Sequence, residues 1–226
     1  MSEVKIAPIP DLGQRTDEIT IYAGPCSVES AEQFDEVAEC IADLGLTWIR
    51  GGAFKPRTNP HSFQGLGEEA LKIMKSAGDR YNLKTLTEVM DSAHCQLVAD
   101  YVDGLQVGAR NFQNFSLLKK IGEVTADTHQ MVLYKRGFAG TIAEWLAATD
   151  YITDHGNTNV VLCERGIRTF ETATRFTLDI AAVPVIHKQS LYPVCIDVSH
   201  PAGQRDLVPS LAKAAIAAGA DSLMIE

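Results

Sequence analysis

Residues 131–166 decide the fold, and they read MVLYKRGFAGTIAEWLAATDYITDHGNTNVVLCERG. The stretch begins and ends with short apolar runs, Met131–Gly137 and Asn159–Gly166, each of which leads into charged residues and a glycine. Between the runs, Thr141 and Glu144 form a capping-box sequence ahead of an amphipathic stretch, which predicts a helix. A strand, a helix and a second strand of this kind are typical of a crossover unit in a parallel sheet.

The same pattern recurs along the whole chain and predicts eight strands. The runs are Ile19–Cys26, Leu46–Phe54, Lys84–Met90, Gly104–Ala109, Met131–Gly137, Asn159–Gly166, Pro193–His200 and Ser222–Glu226. Amphipathic stretches between them predict helices, including one that begins after Ser30 and a weaker one over Thr172–Val183. Eight such units indicate a closed (β/α)8 TIM barrel, and no GxGxxG motif follows the first run to favour an open doubly wound sheet.

The domain organisation follows from where these runs lie. We assign residues 1–18 to an N-terminal extension and residues 19–226 to the barrel. The eighth run reaches the last residue of the sequence, and no stretch is left for the helix that normally follows it. We therefore expect a TIM barrel that lacks its final helix, and we expect a C-terminal tail to be missing from the sequence.

Composition excludes several classes of protein. The chain has 226 residues, 46% of them hydrophobic, and a net charge of −9, which is ordinary for a globular protein and disfavours nucleic-acid binding. No apolar run is long enough to cross a membrane, and no secretory signal pattern opens the chain. The five cysteines are odd in number and form no CxxC pair, so we expect a reduced, cytoplasmic protein without a disulfide framework.

Cations gather where the predicted strands end, which is the edge at which TIM barrels carry their reactive groups. They are Arg50, Lys55, Arg57, Arg110, Lys135, Arg136, Arg165 and Arg168. Like charges brought together repel, so the cluster predicts an anionic ligand with two or more phosphate or carboxylate groups. Any one of these cations could instead be an ordinary surface charge or the partner of an acid, as for Arg57, Arg136 or Arg168. For Glu88, pairing with a cation and a role in the site are equally supported.

Three potential metal ligands end neighbouring strands of the predicted barrel. Cys26, His200 and Glu226 close the first, seventh and eighth runs, which lie side by side once the barrel closes. A thiolate, an imidazole and a carboxylate together suit Zn, Fe, Mn or Co better than Mg or Ca. A single cysteine such as Cys26 is more often a buried apolar side chain, and a single histidine such as His200 is more often part of the core. The prediction of a metal site therefore depends on their expected proximity in the barrel.

Nine blocks of the sequence form a recognisable set in collinear order. The blocks are AGPCSVES at 23–30, GGAFKPRT at 51–58, SFQGLG at 62–67, TEVM at 87–90, VGARN at 107–111, KRG at 135–137, CERGIRTFE at 163–171, DVSH at 197–200 and LMIE at 223–226. Together they resemble the metal-dependent 3-deoxy-D-arabino-heptulosonate 7-phosphate (DAHP) synthases. The variant resembled is the short type I form close to the 3-deoxy-octulosonate 8-phosphate synthases.

This resemblance implies an aldol-like condensation of phosphoenolpyruvate with erythrose 4-phosphate, giving DAHP and phosphate. The reaction is the first step of the shikimate route to the aromatic amino acids. The resemblance also implies a divalent metal (Mn, Fe, Co or Zn), a homo-oligomer (a dimer or tetramer), and no nucleic-acid or membrane partner. A fourth metal ligand, an Asp shortly after the Met-Ile-Glu block, would lie beyond the last residue of this sequence.

The resemblance also assigns roles to individual residues. Arg110 and Arg165 would bind the phosphate of phosphoenolpyruvate, Arg50, Lys55 and Lys135 would surround its carboxylate and reacting carbon, Arg57 and Thr58 would bind the aldose phosphate, and Cys26, His200 and Glu226 would ligate the metal. Lys135, Lys55 and His200 form the catalytic set. We expect Lys135 to act as general acid for the new alkoxide, with a pKa lowered by its arginine neighbours.

Two other functions stay open at this point. A 3-deoxy-octulosonate 8-phosphate synthase would use arabinose 5-phosphate as the aldose, although that family resembles Lys-Ala-Asn-Arg-Ser-Ser where this chain has Lys55-Pro-Arg-Thr58. A non-catalytic barrel that binds phosphorylated metabolites would keep the cations without the reaction. The missing final helix favours that reading, while the set of Arg, Lys, Cys and His disfavours it.

Overall fold

A computed structural model describes residues 19–55, 59 and 61–226 of the chain. In it, eight parallel strands form a closed barrel in sequence order, with β1 paired to both β2 and β8. The strands are β1 (Thr20–Ala23), β2 (Trp48–Arg50), β3 (Lys84–Glu88), β4 (Gly104–Val107), β5 (Met131–Lys135), β6 (Val160–Glu164), β7 (Val194–Asp197) and β8 (Ser222–Ile225). Each strand lies inside one of the eight predicted runs, so the predicted TIM barrel is confirmed.

Helices cover the outside of the barrel between successive strands. They are α1 (Ala31–Asp43), α2 (Glu68–Tyr81), α3 (Cys95–Ala99), α4 (Phe115–Val124), α5 (Ile142–Thr153), α6 (Ala182–Gln189), α7 (Ser199–Ala202) and α8 (Val208–Ala217). The last two both lie between β7 and β8, and β8 is the final element of the described chain. The predicted extension, residues 1–18, lies outside the described residues.

Local sequence explains where the strongest helices begin. The Thr141 side chain accepts a hydrogen bond from the Glu144 backbone N–H, and the Glu144 carboxylate accepts one from the Thr141 backbone N–H, which is the predicted capping box. At α1, Ser30 caps the Gln33 N–H, while the Gln33 side chain accepts from the Glu29 N–H instead. Both devices satisfy N–H groups that the first helical turn leaves without partners.

The weak helix predicted over Thr172–Val183 is wrong. Residues 165–181 form a long connection in which Ile167 and Thr177 make an antiparallel bridge, and the helix begins only at Ala182. Phe176 explains the difference, because its ring stacks on Phe138 with centroids 5.2 Å apart and ties the segment to the mouth of the barrel. A tertiary contact of this kind overrides a weak local preference for helix.

The apolar core has two layers, as a closed barrel requires. A small cluster fills the barrel interior: Tyr22, Leu86, Met131, Leu133, Val161, Cys163, Cys195 and Met224. A larger cluster, which includes Phe34, Leu71, Trp145 and Ile186, lies between the sheet and the helices. All five cysteines are free, and Cys95, Cys163 and Cys195 are buried as small apolar side chains. Among the described residues, no helix has the length and apolarity that a membrane crossing demands.

Candidate functional site

A cavity of about 390 Å³ opens at the carboxyl ends of the barrel strands. Eight of the residues singled out in the sequence line it together: Cys26, Arg50, Lys55, Arg110, Lys135, Arg165, His200 and Glu226. They come from loops and strand ends distributed around the barrel, because parallel strands deliver their last residues to one rim. Arg57 and Thr58, the other two residues of the predicted site, lie outside the described residues.

Ion pairs connect the polar groups along one side of this cavity. Lys135 Nζ lies 2.7 Å from Asp197 Oδ2, and the same oxygen lies 2.6 Å from His200 Nδ1. The other Asp197 oxygen accepts hydrogen bonds from the backbone N–H groups of Ser199 and His200. Both oxygens of this fully buried carboxylate therefore have protein partners, and the His200 ring is fixed with its Nε2 free to face the cavity.

The chain of pairs continues to Glu226, after the neighbouring strand β8, and to Arg50 in β2. His200 Nε2 lies 3.5 Å from Glu226 Oε2, while Glu226 Oε1 forms an ion pair at 3.0 Å with Arg50 Nη2. Arg50 also donates from Nη1 to the Pro25 carbonyl, at 2.6 Å, so the β1–α1 loop fixes it in place. We call Lys135, Asp197, His200, Glu226 and Arg50 the ion-paired end of the cavity, because each cation there already contacts a carboxylate of the chain.

Cys26 lies on the same side and contacts a lysine. Lys55 Nζ donates to the Cys26 carbonyl at 2.6 Å and lies 3.2 Å from the Cys26 sulfur. Cysteine sulfur is a common ligand of zinc and iron. Cys26 is exposed at the cavity, whereas Lys55 is buried, so the sulfur is the accessible member of the pair.

The expected lowering of the Lys135 pKa is wrong. Burial by itself lowers the pKa of Lys135, and Arg50 acts in the same direction, but the carboxylate of Asp197 raises it above its ordinary value, with Cys163 and Glu226 acting likewise. The arginine neighbours alone would lower this pKa, but Asp197, 62 positions further along the chain, lies closer to the ammonium than they do in the folded barrel and outweighs them. Lys135 is thus a persistently charged ammonium at neutral pH.

Arginines without carboxylate partners occupy the other side of the cavity. The Arg165 guanidinium carbon lies 4.2 Å from the ring centroid of Phe176 and 4.9 Å from that of Phe138, and that of Arg110 lies 5.9 Å from the Phe138 centroid. Arg175 lines the cavity beside them. No described acid lies within ion-pair distance of any of these arginines, so Arg110, Arg165 and Arg175 are called the cationic end.

Arg165 is a buried member of this group whose charge has no carboxylate partner among the described residues. It is 4% exposed, and its Nη1 has no hydrogen-bond partner among the described residues. Burial lowers the pKa of Arg165, Asp197 opposes this, and the charge of Arg175 lowers it further. A buried guanidinium that stacks on aromatic faces but lacks an acid is suited to bind an incoming phosphate or carboxylate.

Glu88, the last residue of β3, belongs to neither end. Among the described residues no Lys or Arg nitrogen pairs with it directly, and its partner is Gln106, whose side-chain amide donates at 3.3 Å. Burial raises the pKa of Glu88, although Lys135, Lys55 and Arg50 act in the opposite direction. Gly108 makes room for the carboxylate, because a Cβ there would lie 2.0 Å from Glu88 Oε1.

Arg136 and Arg168, whose roles the sequence does not decide, do not line the cavity. Arg136 is buried and forms ion pairs with Glu164, at 3.0 Å, and Asp179, at 2.7 Å, so its reading as the partner of acids is confirmed. Arg168 is exposed, does not line the cavity, and rests 5.5 Å from the Phe138 ring centroid. Glu171 is capped by the Thr172 and Ala173 backbone N–H groups instead of by Arg168.

The donor atoms fit a divalent metal ion. Ligand atoms of Asp197, His200 and Glu226 lie within 4.8 Å of one another. Asp197 is already saturated by Lys135, His200 and two backbone N–H groups, which matches an outer carboxylate that orients a ligating histidine. His200 Nε2 and Glu226 Oε2 stay available, and Cys26 lines the same cavity although its sulfur is not part of this compact group.

Several residues of the site were not singled out in the sequence. Asp197, Gln106, Arg175, Phe138 and Phe176 line the cavity or support its side chains. Asp197 lies three positions before His200 in the same predicted run, so its position was a usable signal for a second ligand or an orienting group. Arg175 lies within the segment wrongly predicted as helix, and no local pattern marks it as part of the cavity.

Comparison with known proteins gives one consistent family. The model of the DAHP synthetase I family matches residues 12–226. A phospho-2-dehydro-3-deoxyheptonate aldolase of Thermotoga maritima is 52% identical over 207 residues, which are 92% of this chain and 60% of that protein. A 2-dehydro-3-deoxyphosphooctonate aldolase of Caulobacter vibrioides is 30% identical over 234 residues, covering 93% of this chain and 77% of that protein.

Solved structures agree with the sequence comparison. The crystal structure of the Thermotoga maritima DAHP synthase superposes with a TM-score of 0.87 at 50% identity, over 92% of this chain and 59% of that one. A truncated form of the same enzyme gives a TM-score of 0.84 at 49% identity and is covered to 74%. The chain thus spans about 60% of the length of the full Thermotoga relative. On the family match and these likenesses, the chain belongs to the DAHP synthetase I family.

Proposed function

We propose that this chain forms the active site of a DAHP synthase, which condenses phosphoenolpyruvate with erythrose 4-phosphate to give DAHP and phosphate in the shikimate route. The observation that carries the proposal is the division of one cavity into a cationic end without acids and an ion-paired end with a histidine and two carboxylates, with the Cys26 thiol in the same cavity. An anionic substrate would complete the first end, and the second offers metal ligands. The 52% identity to the Thermotoga heptonate aldolase favours the same chemistry.

Phosphoenolpyruvate fits the spacing of charge in the cavity. Arg110 and Arg165 would bind its phosphate, because guanidinium groups offer two parallel donors to a phosphate. Arg50, Lys55 and Lys135 would surround its carboxylate and reacting carbon, where Arg50 Nε still lacks a partner among the described residues. Fixing both ends of this small anion leaves its carbon three directed at the second substrate.

The aldose would enter from the loop after β2. Arg57 and Thr58 lie two and three positions after Lys55 in the sequence and would bind the phosphate of erythrose 4-phosphate. Lys55 is hydrogen-bonded to Cys26, so the loop that carries the aldose site is tied to the predicted metal corner. This connection would bring the aldehyde of erythrose 4-phosphate beside the ion-paired end.

The residues that would hold a divalent ion are Cys26, His200 and Glu226, with Asp197 orienting the histidine. When bound, such an ion (Mn, Fe, Co or Zn) supplies Lewis acidity and orientation for the aldehyde oxygen. Asp197 fixes the His200 tautomer by accepting from Nδ1 at 2.6 Å, which leaves Nε2 as the donor atom toward a metal. The predicted fourth ligand, an Asp after Glu226, lies outside this sequence.

The reaction needs charge stabilisation more than proton transfer. Carbon three of phosphoenolpyruvate forms the new bond to the aldehyde carbon, positive charge develops at carbon two, water adds there, and phosphate leaves. The charged Lys135 ammonium, anchored to Asp197 at 2.7 Å, would stabilise the new alkoxide and supply its proton while remaining charged in the resting enzyme. Holding two anions together against their repulsion is the task of the arginines.

The test is a parallel assay with the two aldose phosphates. We expect phosphate release from phosphoenolpyruvate with erythrose 4-phosphate, and a rate at least tenfold lower with arabinose 5-phosphate. A preference for arabinose 5-phosphate would instead support the octulosonate reaction, and binding without turnover would support a non-catalytic barrel.

Metal dependence is tested on the same assay. We expect that dialysis against EDTA abolishes turnover and that Mn²⁺, Fe²⁺, Co²⁺ or Zn²⁺ restores it, because the thiol and imidazole donors prefer these ions to Mg²⁺. Cys26→Ser should weaken metal binding at least tenfold, measured by competition with a chromogenic chelator. Turnover that survives complete metal removal would contradict the proposal. Cys40→Ser is the matched control, since Cys40 is exposed on helix α1, away from the cavity.

We further propose that the protein is a cytoplasmic homo-oligomer. The five free cysteines are compatible with a reducing compartment, and the resemblance to the DAHP synthases implies a dimer or tetramer. Light scattering at micromolar concentration measures the mass directly, and a monomer would contradict the oligomer.

A further inference from the structure

The connection between β6 and α6 brings a further arginine to the cavity. Residues 165–181 form this connection, and Arg175 lines the cavity with an exposed side chain. Neither the apolar runs nor the motif CERGIRTFE at 163–171 includes it. Its position is fixed entirely by how the connection folds back over the barrel mouth.

One neighbouring segment, residues 201–204, holds Arg175 in place. The Phe176 backbone N–H donates to the Pro201 carbonyl at 3.1 Å, and the Gln204 side chain donates to the Ala173 carbonyl at 3.2 Å. Between these contacts, Arg175 packs on Gly203, where a Cβ would lie 2.8 Å from the Arg175 Cβ. Gly203 has φ +65°, a left-handed conformation that glycine adopts without strain, so the close approach and the turn both require it.

The three arginines of the cationic end share two aromatic rings. Phe138 and Phe176 stack nearly parallel, at 11°. Arg165 lies against both rings, while the Arg175 guanidinium carbon is 5.9 Å from the Phe176 centroid and that of Arg110 is 5.9 Å from the Phe138 centroid. The rings therefore hold guanidinium groups from separate segments of the chain on one side of the cavity.

Electrostatics makes this grouping unfavourable without a ligand. In the part of the chain that the structure describes, no carboxylate pairs with Arg110, Arg165 or Arg175. The charge of Arg175 adds to burial in lowering the pKa of Arg165, which shows that the two guanidinium groups repel each other. A phosphate dianion placed between them would replace this repulsion with charge-assisted hydrogen bonds.

We propose that Arg175 is a third guanidinium for the phosphate group of phosphoenolpyruvate, together with Arg110 and Arg165. The inference rests on the proposed function for the identity of the substrate. It adds a substrate-binding residue that comes from a connecting segment instead of a strand end. Because Arg175 is exposed and Arg165 is buried, Arg175 would also be the first of the two to meet an incoming anion.

Arg168 provides a matched control on the same connection. It is also exposed, and its guanidinium carbon lies 5.5 Å from the Phe138 centroid, close to the value for Arg110. It differs in that it does not line the cavity. Arg175→Ala and Arg168→Ala therefore remove the same charge from the same connection, and only the first removes it from the proposed site.

The experiment measures phosphoenolpyruvate binding by titration calorimetry and steady-state kinetics for both substrates. For Arg175→Ala we expect the Kd and KM for phosphoenolpyruvate to rise about tenfold, the loss of one charge-assisted contact, with the KM for erythrose 4-phosphate within twofold of the wild type. Arg175→Lys should recover part of the loss, since lysine keeps the positive charge but lacks the paired donors of a guanidinium group. Arg168→Ala should stay within twofold throughout.

The outcomes separate the inference from the proposed function. Equal effects of Arg175→Ala and Arg168→Ala, or a KM change confined to erythrose 4-phosphate, would overturn the role of Arg175. A wild type that binds phosphoenolpyruvate without turnover would overturn the proposed function, while calorimetry would still decide the inference. A wild type that binds no phosphoenolpyruvate would overturn both. Arg175→Gln, compared by thermal unfolding, keeps the result interpretable if the alanine variant misfolds.

Discussion

The two ends of the cavity differ in how their charges are compensated. At the ion-paired end, Lys135, Asp197, His200, Glu226 and Arg50 form a continuous chain of contacts between 2.6 and 3.5 Å. At the cationic end, Arg110, Arg165 and Arg175 rest on aromatic rings and have no described acid. Without any ligand, the charges of the first end already have partners within the chain, whereas the described residues offer no carboxylate to the arginines of the second.

This difference separates residues that position from residues that bind. A buried charge must be paired or it destabilises the fold, so the carboxylates of the ion-paired end set the geometry before any ligand arrives. An unpaired buried guanidinium keeps its attraction for a ligand, at a cost to the stability of the free protein. Removing a charge should therefore destabilise the protein at one end and mainly weaken binding at the other.

The largest effect is expected for Asp197→Asn. The substitution leaves the buried Lys135 ammonium without its carboxylate and should lower the free energy of unfolding by about 3–5 kcal/mol. Burial alone would raise the pKa of Asp197, but Lys135 and His200 hold it well below its usual range. Its contribution is thus present above the unfolded pKa and is lost as the pH falls through the folded one. Urea unfolding at neutral and acid pH measures both.

Asp35→Asn is the control for this prediction. Asp35 pairs with Arg80 on the surface, where both side chains are substantially exposed, so the loss should stay below about 1 kcal/mol. Equal losses from the two substitutions would mean that the ion-paired end contributes no more than a surface pair. A difference between Asp197→Asn and the wild type that grows toward acid pH would contradict the assigned sign.

Arg165→Ala should show the opposite behaviour. We expect kcat/KM for phosphoenolpyruvate to fall about 100-fold, or roughly 2.7 kcal/mol, with no loss of folding stability, because Arg165 has no acid to leave unpaired. Phosphoenolpyruvate at ten times its Kd should stabilise the wild type by about 1.4 kcal/mol in thermal unfolding, and should stabilise the variant much less at the same concentration.

Arg136→Ala is the matched control at the neighbouring position. Arg136 follows β5, as Arg165 follows the neighbouring strand β6, but Arg136 pairs with Glu164 and Asp179. Because its loss leaves the buried Glu164 without a cation, we expect Arg136→Ala to lower the free energy of unfolding by about 3 kcal/mol. If Arg165→Ala were equally destabilising, the cationic end would be part of the structural framework and the comparison between the two ends would fail.

The barrel could be predicted from the sequence because its signals are local. Parallel strands covered on both faces produce continuous apolar runs, and each of the eight runs contains the observed strand. Capping residues such as Thr141 mark helix starts within four positions. The helix placed at Thr172–Val183 failed because the stacking of Phe176 on Phe138, 38 positions away, decides that segment, and no local pattern reports it.

The sequence predicted which residues line the cavity better than it predicted the charges that surround each of them. Strand-end placement brought Cys26, Arg50, Lys135 and Glu226 to one cavity, as expected for a closed barrel. The direction of the Lys135 pKa shift was wrong because it depends on Asp197, which reaches Lys135 only when β5 and β7 share the barrel interior. Which charges compensate one another is a property of the closed sheet, and the linear order of residues does not contain it.

Glu88→Gln tests the buried carboxylate that belongs to neither end of the cavity, and its expected effect on stability is the smallest. Burial raises the pKa of Glu88, so its stabilising contribution is present below its unfolded pKa and is lost as the pH rises through the folded one. The glutamine variant lacks this titration. Relative to the wild type it should gain stability as the pH rises through the mildly acid range, to on the order of 1 kcal/mol near neutrality.

Glu144→Gln gives the opposite sign and serves as the control. The pKa of Glu144 is lowered by its hydrogen bonds to the Thr141 backbone N–H and hydroxyl, so the wild type gains from it as the pH rises. Urea unfolding of both variants from acid to neutral pH should therefore give difference curves of opposite slope. Parallel curves would mean that Glu88 is solvated like a surface acid. A fall in kcat for Glu88→Gln, with KM unchanged, would add a role in the reaction itself, which simple pairing with a cation would not produce.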